Sequence, residues 1–101
     1  MDESREELRA RLIAETAKLA WPELERHFAR GTVIRVAGDL DLIEVALRLV
    51  EDDKVVVAEW MGQDKIGHTT LEDARAWVER QSSFWAVVVA PWVLIQEVAA
   101  A

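Results

Sequence analysis

The 101-residue sequence has no cysteine, no tyrosine, two prolines and four glycines. Without cysteine there can be no disulfide, thiolate metal site or cysteine nucleophile. The glycines stand singly at 31, 38, 62 and 67, so neither a phosphate-cradling loop nor a dinucleotide fingerprint can be assembled from them. Cations are also scarce: 12 lysines and arginines face 19 acids, a net charge of −7. Nucleic-acid binders present a basic stripe that releases counterions, and this balance opposes one. The longest uncharged stretch, Gln81 to Gln96, is interrupted by Pro91. Its apolar part is about a dozen residues, short of the roughly 20 that cross a bilayer as a helix. Asp2, Glu3, Glu6 and Glu7 at the start contradict the basic-then-apolar order of a secretory signal. These features lead to the expectation of a cytoplasmic protein, away from membranes and nucleic acid.

What is present suits a packed domain. Apolar residues make up 51% of the chain and charged ones 31%, a globular composition at a length suited to one core. No repeat or linker divides it, so residues 1–101 read as a single domain.

Ser4 with Glu7 has the spacing of a capping box, and Leu8, Leu12, Thr16 and Leu19 follow at helical intervals. A first helix is therefore expected over Ser4–Leu19, with Glu7 and Arg11 as a surface pair. Pro22 suits a first helical turn, giving a short helix over 22–29 stopped by Gly31. The β-branched run Thr32–Ala37 reads as a strand. Asp41 with Glu44 opens a third, very apolar helix within 39–53. Residues 55–61 are ambiguous: three valines favour a strand, while Val56 with Trp60 and Val57 with Met61 have helical spacing, and the helix is the preferred reading. A short strand over 65–68 precedes a helix capped by Thr70 and Asp73, whose stripe is Leu71, Ala74, Trp77, Val78 and Gln81. Residues 84–98 read as two strands joined at Pro91. The expected fold is α+β: a small mixed sheet of three to four short strands flanked by about five helices, in the order ααβααβαββ.

Several segments resemble a family of short bacterial proteins, catalogued as domain of unknown function 2288. They are Glu15-Thr16-Ala17-Lys18, Phe28-Ala29-Arg30-Gly31, Leu40 to Ala46, Glu51-Asp52-Asp53, Ala76-Trp77 and above all Trp85 to Gln96. The resemblance spans nearly the whole chain. It implies a stand-alone cytosolic protein of about this length, and it brings no activity and no catalytic residue. Val55-Val56-Val57 departs from the helix-favouring residues that the resemblance leads one to expect.

The chemistry-bearing residues do not converge in sequence. Asp39, Asp41, Glu44, Asp52 and Asp53 are acids without a calcium-loop pattern, and they read as caps and solvated groups, with no metal expected. His27 and His68 stand alone. Of the two, His68 is the better candidate for acid–base work, with Glu59 or Asp64 as its carboxylate. Ser82 and Ser83 lie in no nucleophile elbow. Arg5, Arg9 and Arg11 alternate with acids, as a mixed solvated face does.

The five tryptophans say more. Trp21, Trp60 and Trp77 sit on apolar helix faces, and core packing is expected for them. Trp85 and Trp92 bracket Pro91 in one apolar segment, and Trp is a favoured contact residue. The interface or pocket candidates are therefore Trp85, Pro91, Trp92, Leu94 and His68.

The leading expectation is a non-enzymatic protein that acts through protein contacts, as a homodimer or with another protein, with no cofactor. One alternative is a small-molecule-binding domain or minor enzyme using His68. Another, resting on charge alone, is an acidic antagonist of a nucleic-acid-binding partner.

Overall fold

The computed structural model describes residues 3–98. Five helices and five strands follow one another: α1 (Glu3–Glu15), β1 (Ala17–Ala20), α2 (Trp21–Ala29), β2 (Val33–Val36), α3 (Leu42–Val50), α4 (Lys54–Gly62), β3 (Ile66–His68), α5 (Leu71–Arg80), β4 (Ser83–Val89) and β5 (Trp92–Glu97). The strands form one mixed sheet in the order β1-β4-β5-β2-β3, in which only β2 and β5 run parallel. The α+β class and the five helices match expectation. The sheet has five strands rather than three to four, and the order is αβαβααβαββ.

The extra strand lies where the sequence suggested the end of the first helix. That helix stops at Glu15. At Thr16 the hydroxyl donates to the Leu12 carbonyl at 2.7 Å and the amide to Ile13 at 3.2 Å. Ala17–Ala20 then pairs antiparallel with β4, placing Leu19 opposite Phe84. Ala-Lys-Leu-Ala has little strand propensity of its own, so it is the pairing that makes it extended. Ser4 is already helical, and any cap before Glu3 lies outside the described residues.

Both faces of the sheet are covered. Along β4 and β5, Val87 and Leu94 join an aliphatic cluster with Leu12, Val45 and Leu47 under α1, α3 and α4. Phe84, Ala86, Val93 and Ile95 point the other way, toward Trp21, Leu24 and Trp77 of α2 and α5. Burial on both sides is why the tail reads as continuous apolar sequence instead of alternating. Ala90 and Pro91 make the turn between β4 and β5.

Local signals hold at most helix ends. Asp41 accepts from the amides of Ile43 and Glu44, and Asp53 from that of Val56. Thr70 and Asp73 form the reciprocal box, each satisfying the other's backbone amide at 3.0 Å. The Asp41–Glu44 box is only half made, because Glu44 turns to arginines instead. Residues 55–61 are helical, although no residue of α4 is fully buried and Val55 is 71% exposed. The stripe on α5 is narrower than expected: Ala74 and Trp77 are buried, while Leu71 and Val78 face solvent. Four residues in the left-handed region, Gly31, Asp52, Asp64 and Gln81, reverse the chain just beyond α2, α3, α4 and α5.

Candidate functional site

The five candidate residues do not form one site, although His68 and Trp92 meet. Leu94 is fully buried beneath α3, so it is core and unavailable to any partner. The reason is register: as a middle residue of β5 it lies opposite Val87 on one side and Ile34 on the other. Trp92 is half-buried against the same cluster, its ring edge-on to His68 at 5.5 Å. His68 is exposed at the end of β3, an edge strand. No hydrogen bond links it to Glu59 or Asp64; Asp64 is held instead by Arg35, Oδ1 to Nη2 at 2.6 Å. His68 therefore packs against Trp92. Pro91 is exposed in the turn. Of the other tryptophans, Trp21 and Trp77 are buried and Trp60 is half-buried.

Trp85 is the exception among these tryptophans, being 43% exposed. It stands on the aliphatic face of the sheet in a groove of about 400 Å³, between the end of α1 and the start of α3. Ile13, 54% exposed, and Ile43 line it with Trp85. Gln96, opposite Trp85 in register, donates to the carbonyls of Ala37 and Leu40 at 2.8 and 2.7 Å. Those bonds tie the 37–41 loop to β5 and fix that wall of the groove. Lys18, the β1 residue facing Trp85, holds its ammonium 5.9 Å from the ring. β1 is an outer strand of the sheet. An apolar groove thus adjoins an open strand edge. The spacing in the sequence could not reveal Ile13 or Gln96 as neighbours of Trp85, because strand pairing sets those contacts.

A second concavity, about 700 Å³, opens under the last turn of α5 at the carboxyl ends of β2 and β5. Arg35, Arg80, Ser82 and Glu97 supply its polar groups. Arg80 makes a forked contact with Glu97, Nη2 to Oε1 at 2.9 Å and Nε to Oε2 at 3.3 Å. The Ser82 hydroxyl donates to Glu97 Oε2 at 2.5 Å. Partial burial pushes the Glu97 carboxyl up, but the Ser82 and Arg80 hydrogen bonds outweigh it, and the group titrates below its ordinary value. Arg35 also lies 3.4 Å from Asp73 on α5. The only trace of this cleft in the sequence was an arginine inside the β-branched run of β2.

The arginines of α1 were read as a solvated mixed face, and two of them instead clamp α1 to α3. Glu44 accepts from Arg9 at 2.7 Å, Arg5 at 3.2 Å and Arg48 at 2.8 Å. Arg5 reaches on to Glu51 at 2.6 Å, and Arg48 to Asp53 at 2.8 Å. Desolvation opposes ionisation of Glu44, yet the arginine contacts prevail and lower its pKa. The expected Glu7–Arg11 pair is absent from the ion pairs among the described residues. Among those residues, too, no three histidines or acids converge as a metal set, and no helix is long and apolar enough to cross a membrane.

The family described as Protein of unknown function (DUF2288) has a sequence profile that matches residues 7–97. The chain belongs to this family. The resemblance seen in the Trp85–Gln96 segment therefore holds across the domain. The DUF2288 fold is also seen in the NMR solution structure of PA1075 from Pseudomonas aeruginosa. That protein is 44% identical, with a TM-score of 0.82 over 99% of this chain and 93% of that one. No curated protein matches the chain.

Proposed function

We propose that this DUF2288 protein acts through protein contact rather than catalysis, pairing with a second copy of itself along β1 and the adjoining Trp85 groove. The observation that carries this reading is the half-exposed Trp85 beside half-exposed Ile13, next to a strand with no neighbour on its outer side among the described residues. An open edge presents backbone donors and acceptors that only another extended segment can satisfy. A two-fold axis through β1 lets the same strand meet itself antiparallel, joining the two sheets. Ala17-Lys18-Leu19-Ala20 carries no carboxylate, so two chains of net charge −7 would meet along this strand without acid facing acid. The same axis brings the two Trp85 grooves toward each other and covers them.

Sedimentation velocity from micromolar to submillimolar concentration tests this. A concentration-dependent dimer is expected, and Trp85→Glu combined with Ile13→Glu should return it to monomer while the circular dichroism spectrum is retained. A wild-type protein that stays monomeric throughout would overturn the reading. So would a dimer indifferent to both substitutions.

A further inference from the structure

We propose that the cleft at the carboxyl ends of β2 and β5 is a binding site for an oxyanion, a carboxylate or phosphate group carried on a small molecule. It is separate from the Trp85 groove, lying under α5 rather than between α1 and α3.

Its position is the first argument. In open sheets flanked by helices, ligands lodge outside the carboxyl ends of parallel strands, and β2 and β5 are the parallel pair in this sheet. Its volume, about 700 Å³, lies within the range of small-molecule sites. Charge is the second. In a chain of net charge −7, Arg35 and Arg80 bring two guanidiniums to this cleft, Arg80 paired with Glu97 and Arg35 with Asp64 and Asp73. An oxyanion would take over guanidinium donors that those carboxylates now hold.

The third argument is how Arg35 is held. Gly67 faces it across the β2–β3 pair, and a Cβ there would come within 3.4 Å of Arg35 Nη2. Of the two carboxylates on Arg35, Asp64 has a side chain 83% exposed and Asp73 one 31% exposed, so the Asp64 pair is the weaker one and the one that an incoming oxyanion can replace. A guanidinium offers paired N–H donors that match two oxygens of a carboxylate or phosphate. Arg80 and the Ser82 hydroxyl, now both directed at the Glu97 carboxylate, are the second set of donors. The apolar floor of Trp77 and Ile95 would take the ligand's carbon body.

Two-dimensional ¹H–¹⁵N NMR of the full chain, titrated at constant ionic strength with inorganic phosphate in one series and benzoate in another, tests the site. Saturable shifts are expected at Gly38, Ser82, Ser83 and the Arg35 and Arg80 side-chain Nε signals. Saturation by phosphate alone assigns a phosphate, by benzoate alone a carboxylate, and by both the shared oxyanion chemistry. Arg80→Gln, on the exposed rim, should weaken binding about tenfold. Arg35→Gln should weaken it too, by removing the guanidinium at the carboxyl end of β2. Shifts that rise linearly without saturating would overturn the proposal. Equal shifts at Arg26 on α2 and Arg30 just beyond it, or binding unchanged in both variants, would do the same. The Arg35 and Arg80 readouts come from β2 and α5, so they distinguish ligand binding from dimerisation through β1.

Discussion

The two faces of the sheet solve the same packing problem with different chemistry. Over α2 and α5, four aromatic rings interlock: Trp77 meets Phe84 at 4.9 Å between centroids, and Trp21 meets both Phe28 and Trp77 at 5.4 Å. Two helices suffice there. Over α1, α3 and α4 the core is Leu, Val, Ile and Ala, and the helices are tied at their rim by the arginine–carboxylate set around Glu44. Large rings bury much area and add edge-to-face attraction, so they need little outside help. Smaller aliphatic chains carry less per residue, and the clamp adds the positional definition that the packing leaves open.

The largest effect should come from breaking the aromatic side. Phe84→Ala should cost about 3–5 kcal/mol in urea unfolding, and Leu47→Ala, equally buried on the aliphatic side, about 2–5 kcal/mol. If the leucine proves the costlier of the two, the aromatic face is not the stronger half.

A smaller effect should follow from releasing the clamp. Glu44→Gln keeps the shape and removes the charge, and it should cost about 1–2 kcal/mol given partial solvent access. Glu44, Asp39, Asp53 and Glu97 all have lowered pKa values in the folded protein. Their contribution is therefore whole above the unfolded carboxylate range, about pH 4 to 4.5, and is lost as pH falls through the lower folded values. Melting temperature should stay level down to about pH 5 and then drop. The drop should be shallower in Glu44→Gln, and an unchanged pH profile would mean that the clamp is idle.

The smallest effect separates the helix starts. Thr70→Ala on the aromatic side and Asp41→Ala on the aliphatic side should each cost about 1 kcal/mol. Asp41 should be the costlier, because its carboxylate accepts from two amides at the positive end of the helix, while Thr70→Ala loses one bond and keeps the backbone amide that donates to Asp73. Amide exchange at Asp73 and at Glu44 would report each loss locally.

Legibility followed distance along the chain. The Thr70–Asp73 box, the Asp41 and Asp53 caps and the stop at Gly31 involve groups within a few residues of each other, and all were readable. So was the paired tail, since a strand buried on both faces leaves an uninterrupted apolar run. The helical spacing of Val56 with Trp60 outweighed three valines with strand preference, and α4 is indeed a helix. The contact candidates were less legible. Trp85 and Trp92 look alike in sequence, yet one is half-exposed in a groove and the other rests on the core beside His68.

By itself the sequence determined the α+β class, the five helices, the tail strands and the kinship with DUF2288, because periodicity and capping are local properties of the chain. Tertiary structure alone decided that Ala17–Ala20 is a strand, that Leu94 is core, that Glu44 gathers three arginines and that Arg35 and Glu97 share a cleft. Each of these depends on strand register or on side chains meeting across tens of residues. Such meetings are set by burying two apolar faces at once, which no short window of sequence contains.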